Sequence, residues 1–183
     1  CVIAIASTAK AVENSDCFAC HADKDLVQTN AAGKAVSLLV DETVFKTSVH
    51  GSLGCTDCHA GIKELPHEKV AEVNCASCHE DVGKEYVTSI HGASRAMGSS
   101  GAATCKDCHG HHDILPVKHP ASPVFKLNLP KTCGQCHNNP GLTHEYRMKF
   151  PEAPAQYAES IHGRALLKLG LIVAPSCNDC HGT

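Results

Sequence analysis

The sequence is poor in the side chains that usually fill a protein interior. Of 183 residues only seven are aromatic, three Tyr and four Phe, and there is no Trp. No run of 18 apolar residues occurs, which excludes a complete membrane span within these residues. Nor is there an excess of positive charge. The 16 basic and 19 acidic residues give a formal charge of −3, which argues against a nucleic-acid binder held by a basic patch. What the chain has instead is 13 Cys and 14 His, so the interior is expected to be filled by something other than side chains.

Twelve of the 13 cysteines form six C-x-x-C pairs, and a histidine follows each one. They are Cys17-Phe-Ala-Cys20-His21, Cys55-Thr-Asp-Cys58-His59, Cys75-Ala-Ser-Cys78-His79, Cys105-Lys-Asp-Cys108-His109, Cys133-Gly-Gln-Cys136-His137 and Cys177-Asn-Asp-Cys180-His181. With His at 14 of 183 positions, its appearance after all six pairs has a chance probability of roughly one in several million. C-x-x-C-H attaches c-type haem, the two thiols forming thioethers to the porphyrin and the adjacent imidazole lying under the iron. A disulfide framework gives no reason for His after every pair. Structural zinc wants two pairs, or a pair and two His, for each ion. A thioredoxin-like motif occurs once, not six times. Cys1 belongs to none of this. Six haems on 183 residues means one for about 30 residues, a density at which protein wraps cofactor. The fold expected is mainly α with much irregular coil, short helices around a chain of closely stacked haems, and little or no sheet.

A second motif lies between the members of each pair: Phe45-Lys-Thr-Ser48-Val49-His50-Gly51, Tyr86-Val-Thr-Ser89-Ile90-His91-Gly92 and Tyr157-Ala-Glu-Ser160-Ile161-His162-Gly163. Each copy is followed by a C-x-x-C-H whose residue before the second Cys is Asp57, Asp107 or Asp179. The chain therefore divides into three di-haem units, residues 12–70, 71–118 and 119–183. Tyr86, Ile90, Ala93 and Met97, and again Tyr157, Ile161 and Ala165, recur at helical spacing. Such a stripe could pack on a neighbouring helix with His at its polar margin. Three matched copies favour the other reading, in which the stripe packs on porphyrin and His50, His91 and His162 reach irons from the distal side. Ile114–Pro130, with Pro116, Pro120, Pro123 and Pro130, is expected to run extended over the surface. Thr29–Lys34 reads as a turn ahead of Ala35–Val40, the one plausible strand.

Eight histidines remain beyond the six motif imidazoles, against only two methionines, so His/Met coordination cannot be general. Bis-His ligation of all six irons is the economical reading, which places them at low potential and leaves no iron open to substrate. Beside the three repeated histidines, His67 and His144 are taken as distal ligands, with a surface role for His144 open. Of the adjacent His111 and His112 one ligates. His119, in the Pro-rich run, is as readily a solvated residue.

The sequence from Asn14 onward resembles the multihaem cytochromes c of anaerobic, metal- and sulfur-respiring bacteria, with paired C-x-x-C-H motifs separated by Ser-x-His-Gly. In that group the second motif often reads C-x-D-C-H-G-x-H-D, matched by Cys105-Lys-Asp-Cys108-His109-Gly110-His111-His112-Asp113, which implies His112 as the ligand. Cys177-Asn-Asp-Cys180-His181-Gly182-Thr183 stops one residue short of that histidine, so either the polypeptide continues or the ligand comes from elsewhere. The resemblance implies an electron-transfer protein relaying between a membrane quinone-linked oxidoreductase and other redox proteins. The alternative is a subunit of an extracellular conductive filament. A nitrite, hydroxylamine or sulfur-oxyanion reductase needs an open iron, often beside a motif ending in Lys, and all six motifs here end in His. Residues 1–11 read as the end of an apolar export segment closing on Ala9-Lys10-Ala11, retained as an anchor stub, or as a lipoprotein N-terminus on Cys1. An exported protein, periplasmic and membrane-attached or else at the cell surface, is expected.

Overall fold

The attachment pairs fall on short helices whose starts are set by side-chain caps. The computed structural model describes residues 12–30 and 33–182, so the expectations for residues 1–11 lie outside the described residues. In α3 (Cys55–Cys58), α6 (Cys105–His109) and α11 (Cys177–His181), the numbers following chain order, the Asp before the second Cys is the third helical residue. Its carboxylate accepts the N–H of the residue before the helix: Gly54 N to Asp57 Oδ2 at 2.7 Å, Thr104 N to Asp107 Oδ2 at 2.7 Å, Ser176 N to Asp179 Oδ2 at 2.6 Å. This satisfies a donor that a one-turn helix leaves orphaned and puts negative charge at its N-terminus. α1 (Asn14–His21) uses Asp16 in the same way, 3.0 Å from Glu13 N. α7 (Leu129–His137) carries Pro130 as its second residue, where a fixed φ suits the first turn. The third pair starts on a 3-10 turn, Cys75–Ser77. Gly110 and Gly182, at φ +91° and +76°, end α6 and α11 in backbone that glycine adopts most readily.

The Ser-x-His-Gly segments are helical with a break. α4 (Glu80–Thr88) and α5 (Ile90–Ala96) are separated at Ser89, and α9 (Ala153–Glu159) and α10 (Ile161–Leu167) at Ser160, both serines being extended. Ser89 Oγ donates to Tyr86 O at 2.7 Å and accepts from Gly92 N at 3.2 Å; Ser160 does the same with Tyr157 O at 2.7 Å and Gly163 N at 3.0 Å. One hydroxyl thus ends one helix and caps the next. The break also brings Gly92 and Gly163 so near the carbonyls of Tyr86 and Tyr157 that a Cβ would collide with backbone, which is why the motif ends in glycine. In the first copy α2 (Glu42–Thr47) ends at Ser48, a Cβ on Gly51 would lie 2.6 Å from Phe45 O, and turns follow in place of a helix.

Two expectations need correction. Ala35–Val40 is not a lone strand: β2 (Ala35–Ser37) pairs antiparallel with β1 (Val27–Thr29), Gln28 opposite Val36, and Asn30 with Gly33 (φ +76°) shapes the connection. The proline run is not extended either. Carbonyls of Pro116, His119, Ser122 and Phe125 accept from the N–H three residues on, at 2.7–3.0 Å, giving four turns in succession. Pro120 and Pro123 occupy the second position of two of them, where a fixed φ near −65° is favourable. The segment is held from within, Asn128 Nδ2 donating to Pro120 O and Ser122 O at 2.8 Å, and Ser122 and Pro130 are buried.

The residues up to Asn74 form one compact body and those from Cys75 another. In the first, α1 meets α2 through Phe18 and Phe45, ring centres 6.2 Å apart. In the second, α4 packs on the Cys75–Ser77 turn and on α5, and α7 packs on α8 (Pro140–Glu145), α9 and α11. Among the described residues few apolar side chains are buried, Phe18, Phe45, Ile62, Leu166 and Ala174 together with Pro130 and Pro154, whereas Ile90, Met97 and Ile161 are 76%, 80% and 86% exposed. The apolar stripes of the repeats are therefore not consumed by helix packing. No helix among the described residues is long and apolar enough to cross a membrane.

Candidate functional site

The residue after the first Cys of the first, third and fifth pairs packs on the helix leading to Ser-x-His-Gly. Phe18 meets Phe45, while Ala76 lies so close to Gly83 that a Cβ there would be 2.6 Å from its own. A Cβ on Gly134 would stand 3.7 Å from Pro154 Cβ. Large and small residues are matched at one contact.

The aromatic that opens each copy then ties that segment to the next attachment helix. Tyr86 donates its hydroxyl to Ala103 O at 2.8 Å and Tyr157 to Pro175 O at 2.7 Å, in each case the carbonyl two residues before the coming Cys. In the first copy the aromatic is Phe45, which has no hydroxyl. There Asn14 Nδ2 donates to the equivalent carbonyl, Leu53 O, at 3.0 Å, and Asn14 Oδ1 accepts from Cys55 N at 2.7 Å.

These ties bring the first cysteines of neighbouring pairs together. Cys17 and Cys55, Cys75 and Cys105, and Cys133 and Cys177 are within hydrogen-bonding reach. As free thiols they perturb one another. Burial and then the Cys17 thiol push Cys55 up to about 11. The hydrogen bond from Cys133 outweighs burial and lowers Cys177 to about 6, while the same bond and burial raise Cys133. Cys108 and Cys136, second cysteines of the fourth and fifth pairs, are also electrostatic neighbours. The remaining thiols, Cys20, Cys58, Cys78 and Cys180, are exposed at the helix surfaces.

Two pairs of imidazoles lie close together. His21 and His67 have ring centres 5.9 Å apart and planes 9° from parallel; His91 and His137 are 6.2 Å apart with planes at 64°. His21 Nδ1 is hydrogen-bonded to Leu38 O at 2.8 Å, beside β2, and His67 Nδ1 to Glu68 O at 2.7 Å. A backbone carbonyl on Nδ1 fixes the tautomer that offers Nε2 to a metal. Burial keeps His59, His109 and His137 below the usual histidine range, reinforced by His21 and His67 near His59, His79 near His109, and His91 and His181 near His137. Neutral imidazole is the form that ligates. His50 lies in the turn after α2, and His111 and His112 lie just beyond α6, exposed. His119 opens one of the proline-run turns. His162 is exposed on α10, and His144, on α8, lines a cavity of about 520 Å³ with Thr143, Arg147, Met148 and Pro151. Among the described residues the structure sets neither His144 nor His162 against a motif imidazole. Nor do three His, Cys, Asp or Glu side chains converge there as a metal cluster.

This donor set fits haem c: thiol pairs presented one turn apart, an imidazole beside each, further imidazoles across from two of them, and apolar side chains exposed nearby. The sequence reading missed the contacts between first cysteines and the part played by Asn14. The one signal for the latter was Phe at position 45 where the other copies carry Tyr.

Residues 47–138, half of the chain, match the cytochrome c3 family. The chain is also similar to the multiheme cytochrome MtrA of Shewanella baltica (strain OS185), 26% identical over 157 residues that take in 73% of this chain and 45% of the relative. It thus spans less than half the length of that curated relative. No solved structure matches it. Six attachment motifs, thiols and imidazoles gathered in pairs, and the family match lead to one conclusion: the chain belongs to the cytochrome c3 family and is a multihaem c-type cytochrome that carries electrons on covalently bound haem.

Proposed function

We propose that the chain binds six haems, one at each C-x-x-C-H, all low-spin and bis-His, and relays electrons between a membrane quinone-linked oxidoreductase and other redox proteins outside the cytoplasm. Thioethers form at Cys17 and Cys20, Cys55 and Cys58, Cys75 and Cys78, Cys105 and Cys108, Cys133 and Cys136, and Cys177 and Cys180. The proximal ligands are His21, His59, His79, His109, His137 and His181; the distal set is His50, His67, His91, His112, His144 and His162. Covalent haem c is made outside the cytoplasm, which motivates the exported location. The observation that carries the reading is the contact between first cysteines within each pair of motifs, continued by Cys108 beside Cys136. Electron tunnelling falls off steeply with distance, and porphyrins anchored on touching cysteines have adjoining edges. Repetition of that contact suits a relay, while imidazoles on both faces keep substrate off the iron. Each of the three di-haem units is one such contact.

Intact mass under denaturing conditions should show the polypeptide plus six haems. Electron paramagnetic resonance of the oxidised protein should show low-spin iron. A mass short of one porphyrin, or one full equivalent of high-spin haem that binds nitrite or sulfite, would overturn the reading.

A further inference from the structure

Which spare histidine serves which haem does not follow from a ligand inventory, but two ring pairs bear on it. An imidazole nitrogen binds a first-row transition metal at about 2.0–2.1 Å and its ring centre lies about 1.2 Å behind that nitrogen, so two imidazoles trans on one metal have centres within about half an ångström of 6.4 Å. His21 and His67 stand at 5.9 Å and His91 and His137 at 6.2 Å. Each pair joins one motif imidazole to one spare imidazole. In the first pair both Nδ1 atoms are already bonded to backbone carbonyls, so that Nε2 is the atom each ring offers.

We infer that His67 is the distal ligand of the haem on Cys17 and Cys20, and that His91 is the distal ligand of the haem on Cys133 and Cys136. The inference rests on the bis-His reading and deepens it. Its second half is the less obvious one. His91 lies between the third and fourth motifs in sequence, yet it serves the fifth. α5 then carries a ligand out of its own pair of motifs, and the iron of the fifth haem staples residues 71–118 to residues 119–183. In the first body the ligand stays local, His67 following the second motif and returning to the first haem. The two irons also differ in kind. Imidazole planes 9° from parallel split the iron orbitals strongly, whereas planes at 64° leave them nearly degenerate.

The test uses carbon monoxide binding to the reduced whole protein. His91→Ala should leave six haems attached and open one iron, giving one equivalent of carbon monoxide bound where the parent binds none. In the Cys133→Ala/Cys136→Ala variant, which cannot attach the fifth haem, adding His91→Ala should open nothing further. If the triple variant binds an extra equivalent, His91 serves another haem; the pairing falls while bis-His ligation stands. If His91→Ala alone opens no iron, ligation by His91 falls with it. The same logic applies to His67→Ala against Cys17→Ala/Cys20→Ala. The unaltered protein supplies a readout that needs no variant: its resonance spectrum should contain both an ordinary rhombic low-spin signal and a strongly anisotropic one. Absence of either would overturn the corresponding pair.

Discussion

Asn14, Tyr86 and Tyr157 meet one need with two chemistries. Each donates to the carbonyl two residues ahead of an attachment helix, one residue before its cap and so outside the helix's own hydrogen bonds. Replacing Tyr86 or Tyr157 with Phe removes a half-buried hydrogen bond and should lower stability by about 0.5–1.5 kcal/mol, read by chemical denaturation of the holoprotein. Asn14→Ala should cost a similar amount, and Phe45→Tyr should restore part of it by supplying the hydroxyl the first copy lacks. No restoration would mean that the ring at position 45 does not point as those at 86 and 157 do. Gly92→Ala and Gly163→Ala should be worse than either tyrosine change, because the methyl meets backbone and not a flexible side chain.

The elements are short, and caps decide whether they form. Burial pulls the Asp107 carboxyl up, but the hydrogen bonds from Thr104 outweigh it and the group titrates below the ordinary carboxylate range. A carboxylate depressed in the folded state contributes stability that is fully present above its unfolded value, about pH 4, and is lost as pH falls through its folded value. Denaturation followed against pH should therefore show Asp107→Asn losing most relative to the parent near neutrality and converging with it in acid. A constant difference across the range would assign the loss to shape, not charge. The attachment motifs, the helical repeats and the scarcity of sheet were legible in the sequence because covalent haem needs fixed residues at fixed spacing. The breaks at Ser89 and Ser160 were less so: the apolar period runs straight through them, and only the hydroxyl bonding both ways interrupts it. Four prolines excluded a helix over residues 114–130, but an extended chain and a succession of turns satisfy proline equally. Hydrogen bonds from Asn128 and Thr132, lying downstream, select the turns. The contacts between first cysteines are long-range, and spacing alone does not report them.

At the scale of the whole molecule, the polypeptide divides at Asn74, ahead of the third motif. Limited proteolysis in the mostly exposed coil of residues 68–74, beyond His67 and ahead of the third motif, should release a fragment carrying two haems from one carrying four, a result that mass spectrometry reads directly because the cofactors are covalent. A fragment boundary inside residues 75–183 would contradict the division. Within each body, the location of the tie has a mechanical meaning. In the second and third copies it passes through the histidine-bearing segment itself, since Tyr86 and Tyr157 stand just ahead of Ser89 and Ser160; a pull on that segment loads the attachment helix beyond it. In the first copy Asn14 splices α1 straight to α3. The segment bearing His50 is anchored instead through Phe45 on Phe18, so a pull on it loads α1 first and reaches the attachment helix beyond only through Asn14.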